Sequence, residues 1–323
     1  MHQKRIVVLG GVGFIGSHLC RRLLEEGNEL FCIDIRDVSN APILRDVRNS
    51  ALFHFIHHNI VHPFGIRCDE IYNLAAPSMV RYNKALPAET LKVSMVGSIH
   101  ALDTARSNHA RVLYASSGNI YPQRSEAPSY DESLASTTCI VAESKLAAEA
   151  LHRAYRSEFG LDTRIARIFN TFGSGGDLMD QRVVMKMVVA ALQNREIVIE
   201  GSGEQLRTFC WIDDMVDGLI RLMQCDPLDH TRTVDLGGRE EISVLNLANK
   251  IIHLTGSRSR ISHIEERPCE RVRRIPNLGS TYRELGWQPT TSLEDGLRRI
   301  ICDIEQALGN RNTAYINWME LNC

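Results

Sequence analysis

Gly10-Gly11-Val12-Gly13-Phe14-Ile15-Gly16 stands between an apolar run, Arg5–Leu9 (RIVVL), and a segment in which Ile15, Leu19 and Leu23 recur every four residues with charges between them. The run predicts a strand buried on both faces, and the spacing predicts a helix over 14–26. Glycines at a strand-to-helix junction have distinct uses. Gly10 permits the tight turn, Gly13 lets the backbone approach a pyrophosphate, and Gly16 lets the helix pack closely on the strand. The helix N-terminus adds free N–H groups and a partial positive charge. The motif therefore predicts a dinucleotide site.

Asp34 ends the second predicted strand (ELFCI, 29–33), 18 residues after Gly16. A carboxylate there can accept both ribose hydroxyls of NAD and would repel a 2′-phosphate. Arg36, two residues on, is of the type that accommodates such a phosphate; the carboxylate favours NAD. Further strands are expected at 70–74, 111–115 and 162–168, and helices at 91–106 and 141–158. This alternation predicts an α/β chain with a Rossmann-type doubly wound parallel sheet. Residues 1–170 read as the NAD-binding domain. After the loop Gly173-Ser174-Gly175-Gly176, short elements such as 197–200 and 244–254 read as a smaller C-terminal substrate-binding lobe, 171–323. Segments near 205–238 are expected to return to the first domain. Residues 311–323 lack periodicity and read as a tail or an oligomer contact.

The chain has 323 residues, is 44% hydrophobic and 24% charged, and carries Lys+Arg 37 against Asp+Glu 39, a net charge of −2. That balance argues against a nucleic-acid binder. No apolar run reaches about 18 residues, so no membrane helix is expected. The N-terminus leaves no room for a signal peptide, which points to the cytoplasm. The nine cysteines form no C-x-x-C pair, and an odd number suits free thiols in a reducing compartment. The histidines show no metal pattern, and His57-His58 reads as loop.

GGVGFIGSHL, YNLAAPS at 72–78, YASSGNIY at 114–121, a helix carrying Lys145, and RIARIFNTFG at 164–173 together resemble the extended short-chain dehydrogenase/reductase family. These are the nucleotide-sugar epimerases, dehydratases and decarboxylases. Within it, Arg182-Val183-Val184, GSGEQLRTF at 201–209, IDDMVDG at 212–218 and LGWQP at 285–289 resemble the UDP-glucuronate decarboxylase branch. The likeness runs from about residue 4 to 300 and implies an NAD cofactor and a nucleotide-sugar substrate. It places cofactor contacts at Gly10, Gly13, Phe14, Ile15 and Gly16, at Asp34 and Ile35, and at Asn59 and Ile60. Leu74, Ala75, Ala76 and Lys145 complete that set. Substrate contacts are implied at Pro77, Tyr82, Ser117, Asn170, Arg182, Arg207 and Arg274. Arg182 and Arg207 match basic positions that meet the diphosphate. Arg274 matches the arginine that reaches the sugar or its carboxylate.

The catalytic pattern departs from the family. Its Tyr-x-x-x-Lys pair puts a phenol and an ammonium on one helix face, and the cation lowers the phenol's pKa so that it can take a proton. Here Lys145 is present and Val141 stands where the Tyr belongs. The family's Ser/Thr-x-Glu becomes Ser117-Gly118-Asn119; Asn119 can orient a substrate but cannot act as a base. Glu200 replaces an aromatic expected beneath the nucleotide base, and Gly173–Gly176 lacks an expected Arg. Lys145, Ser117, Asn119 and Tyr121 are the catalytic candidates, with Tyr82 or Lys145 itself as further substitutes for the base. Cys139 and Glu143 flank Val141 but point elsewhere on a helix.

The reading implied is an NAD-dependent enzyme that decarboxylates a nucleotide hexuronate through a transient 4-keto sugar. A 4-epimerase, dehydratase or dehydrogenase is the alternative, and an inactive NAD- or nucleotide-sugar-binding protein is the alternative of another class. The family commonly pairs through the Lys-bearing helix, and Leu146, Ala147, Ala150 and Leu151 allow a homodimer.

Overall fold

The computed structural model describes residues 3–77, 86–121, 137–175, 182–227, 231–265 and 273–309. The first part runs β1 (Arg5–Leu9), α1 (Phe14–Glu25), β2 (Glu29–Asp34), β3 (Phe53–His57), β4 (Glu70–Asn73), α2 (Pro87–Asn108), β5 (Arg111–Ser117), α3 (Thr137–Phe159) and β6 (Thr163–Ile168). There follow β7 (Thr171–Phe172), α4 (Val183–Leu192), β8 (Ile197–Glu200), β9 (Leu206–Thr208), β10 (Cys210–Trp211), α5 (Ile212–Gln224) and β11 (Arg232–Leu236). The last elements are β12 (Glu241–Ser243), α6 (Val244–Thr255), β13 (Ile261–Ile264), β14 (Arg273–Arg274), α7 (Leu278–Leu285) and α8 (Leu293–Gly309).

Seven strands form one sheet in the order β11-β6-β5-β4-β1-β2-β3, and every adjacent pair in it is parallel. Strand order reverses at β1. The crevice between the carboxyl ends of β1 and β4 is therefore the place where such a sheet takes a ligand. β1 shows how the sheet is covered. Ile6 and Val8 join a core with Leu19 and Leu23 of α1 and Leu219 of α5. Val7 and Leu9 join a second core with Ala101, Leu102 and Ala105 of α2. Alternate side chains thus face opposite layers, which is why the strand reads as an unbroken apolar run.

β3 escapes the sequence reading. In its FHFIH run only Phe53 is buried, because β3 is an edge strand of the sheet. The helices at 91–106 and 141–158 extend by a few residues to 87–108 and 137–159, the former starting on Pro87, which suits a first helical turn. β11 lies in the main sheet beside β6, whereas β9 pairs antiparallel with β12 and parallel with β14 in a small sheet of its own. Cys20, Cys32, Cys68 and Cys210 are buried free thiols. Among the described residues no helix is long and apolar enough to cross a membrane.

Candidate active site

The glycine loop closes on itself at the end of β1. Gly10 has φ +77°, and its N–H donates to the Ile33 carbonyl at 2.8 Å. A Cβ on Gly10 would stand 2.8 Å from Ala75 Cα, and one on Gly16 would overlap the Gly10 carbonyl oxygen. Both positions accept only glycine, the first for its left-handed backbone and the second for close packing. Gly13 caps α1 without a side-chain bond, so first-turn N–H groups are left for an anion. Asp34 is buried; its Oδ2 accepts the Val12 N–H at 3.0 Å and its Oδ1 the Arg36 N–H at 2.9 Å. This cradle and its carboxylate fit a dinucleotide.

The neighbouring positions gather at the same end of the sheet. Ile35 is exposed, and its carbonyl lies 2.9 Å from His57 Nε2. Asn59 Oδ1 accepts the Val61 N–H at 3.2 Å, and Ile60 packs against Gly97 of α2. Leu74 extends β4 by donating to the Leu9 carbonyl; Ala75, the exposed Ala76 and the half-buried Pro77 follow. Tyr82 lies outside the described residues.

Lys145 comes from α3. Its Nζ donates to the Ala115 carbonyl of β5 at 2.7 Å and stands 4.7 Å from the centre of the Tyr114 ring. Burial pulls its pKa down to about 8, with the Glu149 charge pulling the other way. Val141, one turn earlier, is half buried and offers no proton donor or acceptor on its side chain.

Behind Lys145 lies a charged network that sequence reasoning missed. Glu149 is fully buried and accepts from Ser116 Oγ at 2.7 Å and from Arg167 at 2.8 and 3.0 Å, with Arg153 as a further partner. Burial alone would raise the Glu149 pKa, but these donors outweigh it and hold it down. Arg167 Nη1 also donates to the Tyr121 hydroxyl at 2.9 Å, and that hydroxyl donates to Asp235 Oδ1 at 2.6 Å. The available signal was a glutamate four residues after Lys145, on the same helix face.

A cleft of about 290 Å³ opens beside the end of β5. Phe14 and Ile15 of α1, Ser117 and Asn119 at the end of β5, Asn170, and Arg182 before α4 all line it. Ser117 Oγ accepts the Asn119 N–H at 3.2 Å, Asn170 Nδ2 donates to the Thr208 carbonyl at 3.3 Å, and the Arg182 guanidinium lies 4.5 Å from the Phe14 ring centre. A Cβ on Gly118 would stand 2.7 Å from the Phe169 ring, so the glycine lets that ring close against the cleft wall. His18 Nε2, 2.9 Å from the Ser174 carbonyl, ties α1 to the loop on the far side.

The structure therefore brings Phe14, Ile15, Ser117, Asn119, Asn170 and Arg182 together. Lys145 is not a cleft-lining side chain but stands two residues from Ser117 through its bond to Ala115. Tyr121, expected as a catalytic candidate, is instead tied between Asp235 and Arg167; burial and the Asp235 bond push its pKa up to about 12, which makes it a poor base. Arg207 is buried in β9, with Nη1 donating to the Leu206 carbonyl at 2.8 Å. Arg274 pairs with it in register on β14, and its side chain lies outside the described residues. Glu200 ends β8 opposite Ile264. Among the described residues no group of three His, Cys, Asp or Glu could hold a metal ion.

The model of the NAD dependent epimerase/dehydratase family matches residues 6–237. UDP-glucuronic acid decarboxylase 1 of Xenopus tropicalis is 34% identical over 321 residues, 97% of this chain and 75% of that protein. UDP-glucuronic acid decarboxylase 5 of Arabidopsis thaliana is 33% identical over 314 residues, 95% of this chain and 91% of that protein. Among solved structures, UDP-glucuronic acid 4-epimerase of Bacillus cereus, in complex with UDP-glucuronic acid and NAD, superimposes with a TM-score of 0.81 at 24% identity, covering 94% of this chain and 99% of that one. UDP-glucose 4-epimerase of Thermotoga maritima gives a TM-score of 0.81 at 23% identity over the same shares. These superpositions show a shared fold. The chain belongs to the NAD dependent epimerase/dehydratase family of nucleotide-sugar enzymes.

Proposed function

We propose that this protein decarboxylates a nucleotide hexuronate of the UDP-glucuronate type, oxidising the sugar at C4, releasing CO2 and reducing the ketone again. The observation that carries the reading is the cleft joining the α1 N-terminus, the Ser117 hydroxyl and Arg182, with Lys145 beside it. The decarboxylase relatives supply the substrate class. NAD held by the glycine cradle and Asp34 would supply a reversible hydride acceptor for C4, so the overall reaction would involve no net oxidation.

The chain's own groups have four tasks. The glycine cradle, Asp34 and Lys145 hold the cofactor. Arg182 and Arg207 offset the substrate's diphosphate charge. Ser117 and Asn119 orient sugar hydroxyls. The proton of the C4 hydroxyl needs an acceptor, and Val141 cannot be one. Lys145, with its pKa near 8, is partly neutral at neutral pH and takes that proton. The carboxylate then stands β to a carbonyl; as the C–C bond breaks its electrons flow into that carbonyl, and C5 takes up a proton from water to regenerate the ketone. This step needs no base, which is why Asn119 in place of a glutamate does not block it. We also place the protein in the cytoplasm as a homodimer joined through α2 and α3, where Leu91, Leu146 and Phe159 are exposed.

Val141 and Asn119 together favour a second reading, a protein that binds NAD and a nucleotide sugar without turnover. Mass spectrometry of purified protein with NAD and UDP-glucuronate separates the two. Loss of CO2 without accumulating NADH supports decarboxylation. An isomer at unchanged mass, resolved by NMR, supports an epimerase. Tight binding of both ligands with no product, joined by activity on Val141→Tyr, supports the binding protein.

A further inference from the structure

The adenosine end of the glycine loop carries opposite charges side by side. Both oxygens of the buried Asp34 are engaged, Oδ2 with the Val12 N–H and Oδ1 with the Arg36 N–H. The Arg36 guanidinium turns back onto the same group. Its Nη2 donates to the Val12 carbonyl at 2.7 Å, and its Nε stands 3.8 Å from Asp34 Oδ1. A Cβ on Gly13 would lie 3.9 Å from Arg36 Nη2, so the guanidinium borders the loop itself. The Arg36 side chain is 49% exposed, and most of its N–H donors have no hydrogen bond among the described residues.

Other charges meet here. His57, at the end of β3, lies against the Ile35 carbonyl. Asp37 is exposed and accepts the Ser39 N–H at 2.9 Å; the Ser39 side chain and then its backbone N–H hold the Asp37 pKa down, and His57 and Arg48 add to the effect. The segment thus sets Arg36, Arg48 and His57 against Asp34 and Asp37.

A lone carboxylate at the end of β2 repels a 2′-phosphate, whereas an arginine beside it accommodates one. Here the ion pair cancels the local repulsion, and the bond to Val12 fixes the guanidinium in advance, so little side-chain freedom is lost when a phosphate binds. We propose that Arg36 gives the adenosine ribose site affinity for a 2′-phosphate, so that this chain holds NADP as well as NAD. This rests on loop 10–16 and Asp34 being the dinucleotide site.

Calorimetric titration of the full-length protein with NAD, NADP, 5′-ADP and 2′,5′-ADP, without sugar, tests it. The expected NADP Kd lies within about tenfold of that for NAD. Arg36→Gln should weaken NADP by about 10- to 100-fold more than NAD, and added salt should weaken NADP more than NAD. Arg36→Lys should recover part of the loss, and 2′,5′-ADP should follow NADP. A wild-type preference for NAD above about a hundredfold overturns the proposal, as does an equal loss of both nucleotides in Arg36→Gln. Binding of NAD alone overturns the proposal and leaves the dinucleotide site standing; binding of no nucleotide overturns both.

Discussion

Lys145→Met should make the protein without NAD more stable at neutral pH. Lys145 is 6% exposed, and the described contacts of its ammonium are the Ala115 carbonyl and the Tyr114 ring. Burial lowers its pKa from 10.5 to about 8. A fall of that size corresponds to about 3 kcal/mol of native-state penalty at any pH where both folded and unfolded chains carry the charge. Methionine keeps an unbranched stem and needs no ionic hydration. Losing the carbonyl bond and the ring contact offsets about 1–2 kcal/mol of the gain. The variant should therefore gain roughly 1–2 kcal/mol near pH 6. The pH dependence has a definite sign. The folded pKa lies below the unfolded one, so between about 8 and 10.5 the unfolded chain binds more protons and wild-type stability rises with pH. The advantage of methionine should shrink across that window and vanish above it. Urea unfolding followed by tryptophan fluorescence, at matched m-values, measures both effects. A variant less stable than wild type near pH 6, or a difference that stays flat from about pH 8 to 10.5, refutes the reasoning.

Gly16→Ala should cost about 1–3 kcal/mol, because its methyl overlaps the Gly10 carbonyl and lies 2.9 Å from Gly11 Cα; calorimetry should show NAD affinity falling at least about tenfold, and wild-type affinity would contradict the cradle. Glu149→Gln leaves Arg167 and Arg153 without their carboxylate and should cost about 3–5 kcal/mol in chemical denaturation. Because the Glu149 pKa is lowered in the fold, that contribution is present above the unfolded value of 4.5 and disappears as pH falls through the folded one, so the two proteins should converge in acid. Tyr121→Phe removes the hydroxyl between Arg167 and Asp235 and should cost about 1–2 kcal/mol with turnover unchanged; a large fall in kcat at wild-type stability would restore Tyr121 as a catalytic group.

The β1–α1–β2 part of the fold was legible because each of its signals is local. A tight turn demands Gly10, a close helix approach demands Gly16, and a buried parallel strand shows itself as RIVVL, whatever the rest of the chain does. Asp34 could be placed by counting along one strand. The loss of the phenol at Val141 was equally visible, since it depends on spacing within one helix. The chain's distant pairings were not legible. Glu149 meets Arg167 across 18 residues, and Tyr121 meets Asp235 across 114. Only the order β11-β6-β5 brings those groups to one side of the sheet. For the same reason the sequence offers Tyr121 as a catalytic candidate without showing its bonds to Asp235 and Arg167. Arg36 read as a neighbour of Asp34 in sequence, but its return to the Val12 carbonyl depends on β1 and β2 lying side by side. Backbone conformation and periodicity are properties of a few consecutive residues, whereas a side chain's partner, burial and pKa are set by whichever segments the sheet places next to it.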